Sequence, residues 1–346
     1  MIYSENDALQ AACLHIVGNK SLDEGVSLSA QPMKVDEAIL PVLNHFFISS
    51  FKSDERYALF HHSGLEYNFV YKVVSGIFNN PNTLYESSVM LANQLYYCSE
   101  HSKTKGGEFY VTYFKAIEID GKKADAVGLF KSENKDVYLR IISQDGSNDV
   151  EQEKGINVNK LDKGCLIFNL DSENGYVVAI IDNTNKTQAK YWVEDFLQAK
   201  PRSNEYHQTR SVLSAAKSFI MKGLPSEREV TKGEQAELID KTMRYFQENE
   251  KFDIVDFGNA VMGDEKLSSD FGQYMGSYME KNNLEQVESF DISSSAVKKS
   301  SRSMKSVIKL DKNFHIYVHG GDGLIKRGYD EATGMEYYQL YFKNEE

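Results

Sequence analysis

Between residues 109 and 181 the chain carries five apolar runs of strand length: 109–119, 124–130, 137–142, 165–170 and 176–181. Most are separated by short polar connections, among them Asp120-Gly121 and the 171–175 loop (DSENG). Turn residues between apolar runs are the sequence form of hairpins, so this stretch predicts an antiparallel β-meander. The longer segment 144–163 reads as an excursion between two of its strands.

Helical spacing dominates on either side. Residues 8–17 (ALQAACLHIV) predict an opening strand, and Asp36 is placed to cap a helix reaching Phe51, with Pro41 near its start. Val70, Val73, Val74, Ile77 and Phe78 fall at i, i+3, i+4, i+7 and i+8, one face of a helix. Asn80-Pro81 is a cap followed by an N1 proline, opening a helix that ends near Ser99. After the meander, periodic stretches predict helices at 190–199, 209–222, 232–247, 253–261 and 267–281, and a small terminal sheet from 314–318 and 337–342. The fold class is therefore α+β: an antiparallel meander with flanking helices, then a smaller, mostly helical C-terminal domain closing with a short β-sheet. The chain has 346 residues, enough for two domains. Gly223-Leu224-Pro225-Ser226 is the best linker, which sets the domains at 1–222 and 223–346.

Hydrophobic residues make up 41% of the chain and aromatics 12%, ample for a packed core, which excludes a wholly disordered chain. No run approaches the ~20 apolar residues of a bilayer span, and the first twenty residues, with Glu5 and Asp7, lack the pattern of a secretory signal. Cys13, Cys98 and Cys165 are odd in number and widely spaced, which predicts free thiols rather than a disulfide framework or a zinc site. These features predict a cytoplasmic protein without membrane attachment.

Charge is segregated. Overall there are 39 basic and 51 acidic side chains, a net of −12. Residues 223–291 hold 7 basic and 16 acidic side chains. Residues 292–310 hold five basic side chains, Lys298, Lys299, Arg302, Lys305 and Lys309, and no acidic one. Seven serines lie within 293–306, so this segment reads as solvated, either a linker or an arm that contacts phosphates. Residues 183–222 carry a second basic excess, including Arg202, Arg210 and Lys217, and Lys326 and Arg327 could extend the basic surface.

Catalytic and metal motifs fall away on geometry. His315 and His319 have i, i+4 spacing, but 314–318 (FHIYV) alternates like a strand, in which four residues span ~13 Å. Two nitrogens each ~2.1 Å from one metal cannot be so far apart. His61-His62 reads as a surface turn and His15 as a hydrogen-bonded core histidine. The glycine-rich 320–323 (GGDG) is neither a dinucleotide nor a phosphate-loop fingerprint. Glu248, Glu250, Asp253 and Asp256 cluster along the sequence, where an acidic helix surface explains them more economically than a Mg²⁺ site. No catalytic residue, cofactor or metal is expected.

Several segments, in order, resemble the bacterial 37-kDa nucleoid-associated protein family: 13–20 (CLHIVGNK), 24–29 (EGVSLS), 51–60 (FKSDERYALF), 77–82 (IFNNPN), 105–114 (KGGEFYVTYF), 191–197 (YWVEDFL), 305–318 (KSVIKLDKNFHIYV) and 325–330 (IKRGYD). The similarity runs from about residue 8 to residue 343. It implies a cytoplasmic protein of the bacterial nucleoid that binds DNA without enzymatic activity. The family's basic C-terminal stretch corresponds to residues 298–309 here.

Three functions fit these residues. One is a DNA-binding nucleoid protein of low sequence specificity, contacting backbone phosphates of duplex DNA through Lys298, Lys299, Arg302, Lys305, Lys309, Lys326 and Arg327. Another is an interaction module that reaches the nucleoid through a protein partner docked on the acidic 223–291 region, without touching DNA. The third is a metal-dependent nuclease using the carboxylates near Asp253. A homodimer would suit DNA bridging. The aromatics lie in apolar runs that read as core, so no platform for stacking single strands is expected.

Overall fold

The computed structural model describes residues 2–5, 8–144, 147–184, 191–282, 284–304, 306–310, 313–318 and 324–344. The chain divides into two compact units, Met1–Arg202 and Ser203–Glu346. The fold is α+β, with a large antiparallel sheet in the first unit and short hairpins at the end of the second.

The strands of the first unit are β1 (Ile2–Tyr3), β2 (Leu9–Val17), β3 (Val26–Leu28), β4 (Tyr57–Leu59), β5 (Gly107–Ile119), β6 (Lys122–Ser132), β7 (Asp136–Gln144), β8 (Ser147–Gly155), β9 (Lys163–Phe168), β10 (Val177–Asp182) and β11 (Ala199–Pro201). The main sheet runs β11-β4-β10-β9-β6-β5-β2-β3, with β1 beside β5. Helix α1 (Leu40–Ile48) packs on one face, and α2 (Phe69–Asn79) and α3 (Leu84–Cys98) on the other. Phe109, Val111 and Tyr113 enter the core under α2 and α3, while Tyr110 and Phe114 enter the core under α1. Burial on both faces is why these strands read as continuous apolar runs rather than as an alternation. The β5–β6 ladder shifts register between Phe114 and Ile117, where Ala116 has φ 54°. Asp125 covers that bulge, accepting from the Ala116 N–H at 3.0 Å and from the Tyr113 hydroxyl at 2.6 Å.

The predicted helical face of α2 is the buried one: Val70, Val73, Val74 and Ile77 all enter the core. Asn80 caps a single 3₁₀ turn, Pro81–Thr83, and α3 follows it. His15 is buried; its Nδ1 accepts from the Ser29 N–H and its Nε2 meets Ser88 Oγ at 2.8 Å, as a satisfied core histidine should.

Several expectations change. Asp36 does not cap α1 itself; its Oδ1 accepts from the N–H groups of Ala38 and Ile39 in the turn before the helix. The run 137–142 is not a strand of the meander, because β6 pairs directly with β9. It lies in β7, which among the described residues pairs only with β8 as a separate hairpin, so the excursion begins near Asp136. The helix expected at 190–199 is a π-helical turn, Tyr191–Phe196, followed by β11; residue 190 lies outside the described residues. Gly223–Ser226 is not an extended linker. Helix α4 (Glu205–Ser218) continues through a π-helical turn, Phe219–Gly223, into α5 (Leu224–Glu227), and Gly223 and Leu224 are buried there. A Cβ on Gly223 would stand 2.9 Å from the Phe219 ring, so the glycine serves close packing.

The second unit continues with α6 (Lys232–Glu248), opened by a Thr231/Glu234 capping box, then β12 (Lys251–Asp253), α7 (Ile254–Phe257), α8 (Glu265–Lys281), β13 (Ser289–Asp291) and α9 (Ser294–Ser300). Its core joins the apolar faces of α4, α6 and α8, with Phe246, Phe252, Phe257 and Phe271 at the centre. The chain closes in two hairpins, β14 (Ser306–Leu310) with β15 (Phe314–Val318), and β16 (Ile325–Asp330) with β17 (Met335–Leu340). The single terminal sheet expected from 314–318 and 337–342 is thus two separate pairs, because each run meets a strand next to it in sequence. Among the described residues no helix is long and apolar enough to cross a membrane.

Candidate nucleic-acid interface

Helix α9 anchors the basic segment. Ala296 and Val297 are buried, and the Ser293 hydroxyl accepts from the Ala296 N–H at 3.3 Å to cap the helix. The Ser293 N–H donates in turn to Thr209 Oγ1 on α4 at 3.0 Å. Lys298 and Lys299 then fall in the last turn, where cations offset the partial negative charge of the helix C-terminus. Both are exposed, as are Arg302 and Lys309. Lys305 lies outside the described residues.

Packing brings the two basic segments of this unit together. Tyr206 on α4 carries Lys299 Nζ 5.8 Å from its ring centroid and the Arg210 guanidinium 6.0 Å from it. About two turns beyond Arg210 along α4, Lys217 Nζ donates to the Ser303 carbonyl. Cations about ninety residues apart in sequence therefore line one seam of α4 and α9, and residues 292–310 bring no carboxylate to it.

The other sequence candidates are placed differently. Lys309 lies on β14 directly opposite His315. Lys326 sits over the Tyr341 ring at 5.4 Å. Arg327 is paired with Glu336 across the β16–β17 hairpin, and that carboxylate holds its guanidinium more firmly protonated than usual while neutralising its charge. Arg202 belongs to the first unit, where it donates to the Tyr176 carbonyl at 3.0 Å and pairs with Asp171.

Among the acidic candidates, Asp253 has a structural role. Asp253 Oδ1 accepts from the N–H groups of Val255 and Asp256 at 2.9 and 3.2 Å, capping α7. Along α6, Glu237 and Asp240 pair with Lys241 and Arg244 one turn on. Among the described residues no three His, Cys, Asp or Glu side chains converge on a metal position. His61 stacks on His62 with centroids 4.3 Å apart, in a turn; His319 and residues 320–323 lie outside the described residues. Cys13, Cys98 and Cys165 are free; burial raises all three thiols, Cys98 to about 11.

Two features escape sequence reasoning. The first is a buried ionic cluster in the first unit. Lys131 Nζ donates to the Lys105 carbonyl at 2.7 Å and to Tyr191 Oη at 3.2 Å, and stands 3.4 Å from Glu133 Oε1. Tyr191 Oη donates to the same carboxylate oxygen at 2.6 Å. Lys163 reaches both oxygens of Asp182 at 2.9 Å and Thr184 Oγ1 at 2.6 Å. Burial depresses the Lys131 ammonium, against the pull of Glu133, and raises the Tyr191 phenol. The adjoining cavity, between His101, Thr104, Lys163 and Tyr191, is about 20 Å³, room for one water. Each lysine has its own carboxylate, so the cluster is a hydrogen-bonded core network.

The second is aromatic exposure. Tyr317 is 57% exposed, Tyr337 48% and Tyr341 42%, contrary to the expectation that the aromatics are core. The signal was present in FHIYV: period-two spacing separates Tyr317 and His315 from Ile316, and only one face of a terminal hairpin can meet the core.

A family model described as nucleoid-associated protein YejK matches residues 13–335, nearly the whole chain. No curated protein matches it.

Proposed function

The chain belongs to the nucleoid-associated protein family, and we propose that it binds duplex DNA with low sequence specificity through the seam of α4 and α9. The observation that carries the reading is the Tyr206 ring, which holds Lys299 and Arg210 to one surface beside Lys298 and Arg302. Clustered exposed ammonium and guanidinium groups neutralise neighbouring phosphates and release their counterions. Low specificity follows from the element itself. Helix α9 has 7 residues, about 10 Å of helix, and its exposed cations are grouped in the last turn. It offers no set of amide and guanidinium side chains spaced along a groove to read base edges. Lys309 and Lys326 would add further phosphate contacts, as would Lys305, which lies outside the described residues, whereas Arg327 is spent on Glu336. The chemistry is binding without catalysis, in the cytoplasm at the nucleoid.

The test is fluorescence anisotropy of a random duplex over a series of salt concentrations. About five phosphates neutralised predicts a log–log slope near −4.5. A variant with Lys298→Glu, Lys299→Glu and Arg302→Glu should lose most of the affinity with its fold intact. A flat salt response by the wild-type protein sinks the proposal.

A second reading, attachment through a protein partner, draws support from the β7–β8 hairpin. Val137, Leu139, Ile141 and Val150 share one of its faces, Leu139 and Ile141 being about 70% exposed, and that face carries no carboxylate. Such a stripe on a basic-poor hairpin suits a protein, including a second copy of the chain, better than DNA. Partners that remain bound after nuclease digestion would favour this reading, and sedimentation would identify a dimer.

A further inference from the structure

The two terminal hairpins share a pattern that phosphate contacts leave unexplained: each turns a half-exposed tyrosine and a lysine to solvent on one face. In β14–β15, Ile308 is buried, so the alternate positions Val307, Lys309, His315 and Tyr317 form the outer face. Lys309 and His315 are exposed, and no carboxylate lies among the four. In β16–β17, Lys326, Gly328, Tyr337 and Gln339 share a face. A Cβ on Gly328 would lie 2.3 Å from the Tyr337 ring, so the ring rests directly on the glycine backbone. Covering a glycine accounts for the position of that ring; it does not account for the side chain remaining 48% exposed. Tyr341 lies just past the strand with Lys326 Nζ 5.4 Å above it.

An exposed aromatic ring that shares a hairpin face with an exposed cation suits a planar group attached to an anion. A nucleotide whose base is unpaired has both, whereas the bases of a duplex are already stacked on one another. We infer that unpaired nucleobases stack on Tyr317 and Tyr337 while Lys309 and Lys326 hold adjacent phosphates, so that the terminal hairpins take single-stranded nucleic acid. This rests on the nucleic-acid reading above and adds a ligand class and a site to it.

The experiment compares oligo(dT), oligo(U) and a random duplex binding to the full chain, for the wild type and for variants Tyr317→Ala, Tyr337→Ala and their double. Both rings are on exposed hairpin faces, and circular dichroism checks each fold; the pair Tyr317→Phe with Tyr337→Phe keeps the ring and removes only the hydroxyl. Stacking is worth ~1–3 kcal/mol per base, so each alanine should weaken single-strand binding by about 5-fold to 150-fold, with duplex affinity changed less than about twofold. The phenylalanine pair should bind as the wild type does. Losses confined to oligo(dT) or to oligo(U) support the site and identify the sugar it accepts. Single-strand binding that survives in the double alanine variant overturns this inference alone, as does an equal loss on the duplex. A wild-type protein that binds duplex and neither oligomer overturns it and leaves the duplex proposal standing; one that binds no nucleic acid at low salt overturns both.

Discussion

Lys131 and Lys163 lie in the core of the first unit, each within reach of a carboxylate, whereas Lys298, Lys299 and Lys309 in the second unit are exposed on a segment with no carboxylate of its own. The same side chain does opposite work in the two places. A buried ammonium loses its hydration and survives only as one member of a hydrogen-bonded pair, so it fixes a core and offers nothing to a ligand. An exposed one keeps its hydration and its counterions, and releasing those counterions is what makes it a phosphate contact. Counting charges along a sequence cannot separate the two populations.

The comparison breaks most visibly at Lys131. Lys131→Met leaves the buried Glu133 without its counter-charge and removes a donor to Tyr191, and should destabilise the first unit by about 3–5 kcal/mol in urea unfolding. Lys298→Met, by contrast, should stay within about 0.5 kcal/mol. Equal effects at the two positions would erase the distinction. On DNA the order reverses. Replacing Lys298, Lys299 and Arg302 by glutamine should reduce the salt slope by about 2.7, from three lost phosphate contacts, with the melting temperature unchanged.

The same division predicts thiol chemistry. With Cys98 at about 11 and Cys13 and Cys165 raised by burial, iodoacetamide at pH 8 should label the native protein slowly and all three thiols promptly in denaturant. Rapid labelling of the native chain would show that this core is more open than its packing indicates.

The smallest effect concerns pH. Burial alone would raise the Asp120 carboxyl, but the buried Arg56 guanidinium, at 2.8 and 2.9 Å, more than offsets this and holds it below the ordinary value. A depressed carboxylate stabilises the fold above its ordinary range, near pH 4, and that contribution is lost as pH falls through the depressed value. Asp120 is half exposed, so the difference between wild type and Asp120→Asn should be well under 1 kcal/mol at pH 7 and vanish near pH 2.

Local patterns carried far in this chain. The buried face of α2, the Asn80-Pro81 start, the long strands β5 and β6 and the segregated basic segment are all written in neighbouring residues, since side-chain period and turn chemistry act over a few positions. The failures share a cause. Gly223-Leu224-Pro225-Ser226 has linker composition, but Phe219 and the core around Leu224 hold it helical. The run 137–142 is as apolar as its neighbours, yet among the described residues it pairs with β8 and not with the main sheet. Aromatic runs at the C-terminus looked like core because nothing local says how many faces of a hairpin will be covered.

By itself, then, the sequence determined the α+β class, the main strands and helices, and which residues carry charge, because periodicity and composition are local properties. Only the tertiary structure decided which charges matter. Tyr191 lies 60 residues from Lys131 and becomes its hydrogen-bond partner, and α4 lies 86 residues from Ser303 and supplies Lys217 to it. Whether a lysine meets a carboxylate, an aromatic ring or water is set by these long-range approaches, and solvation decides what an ionised side chain can bind.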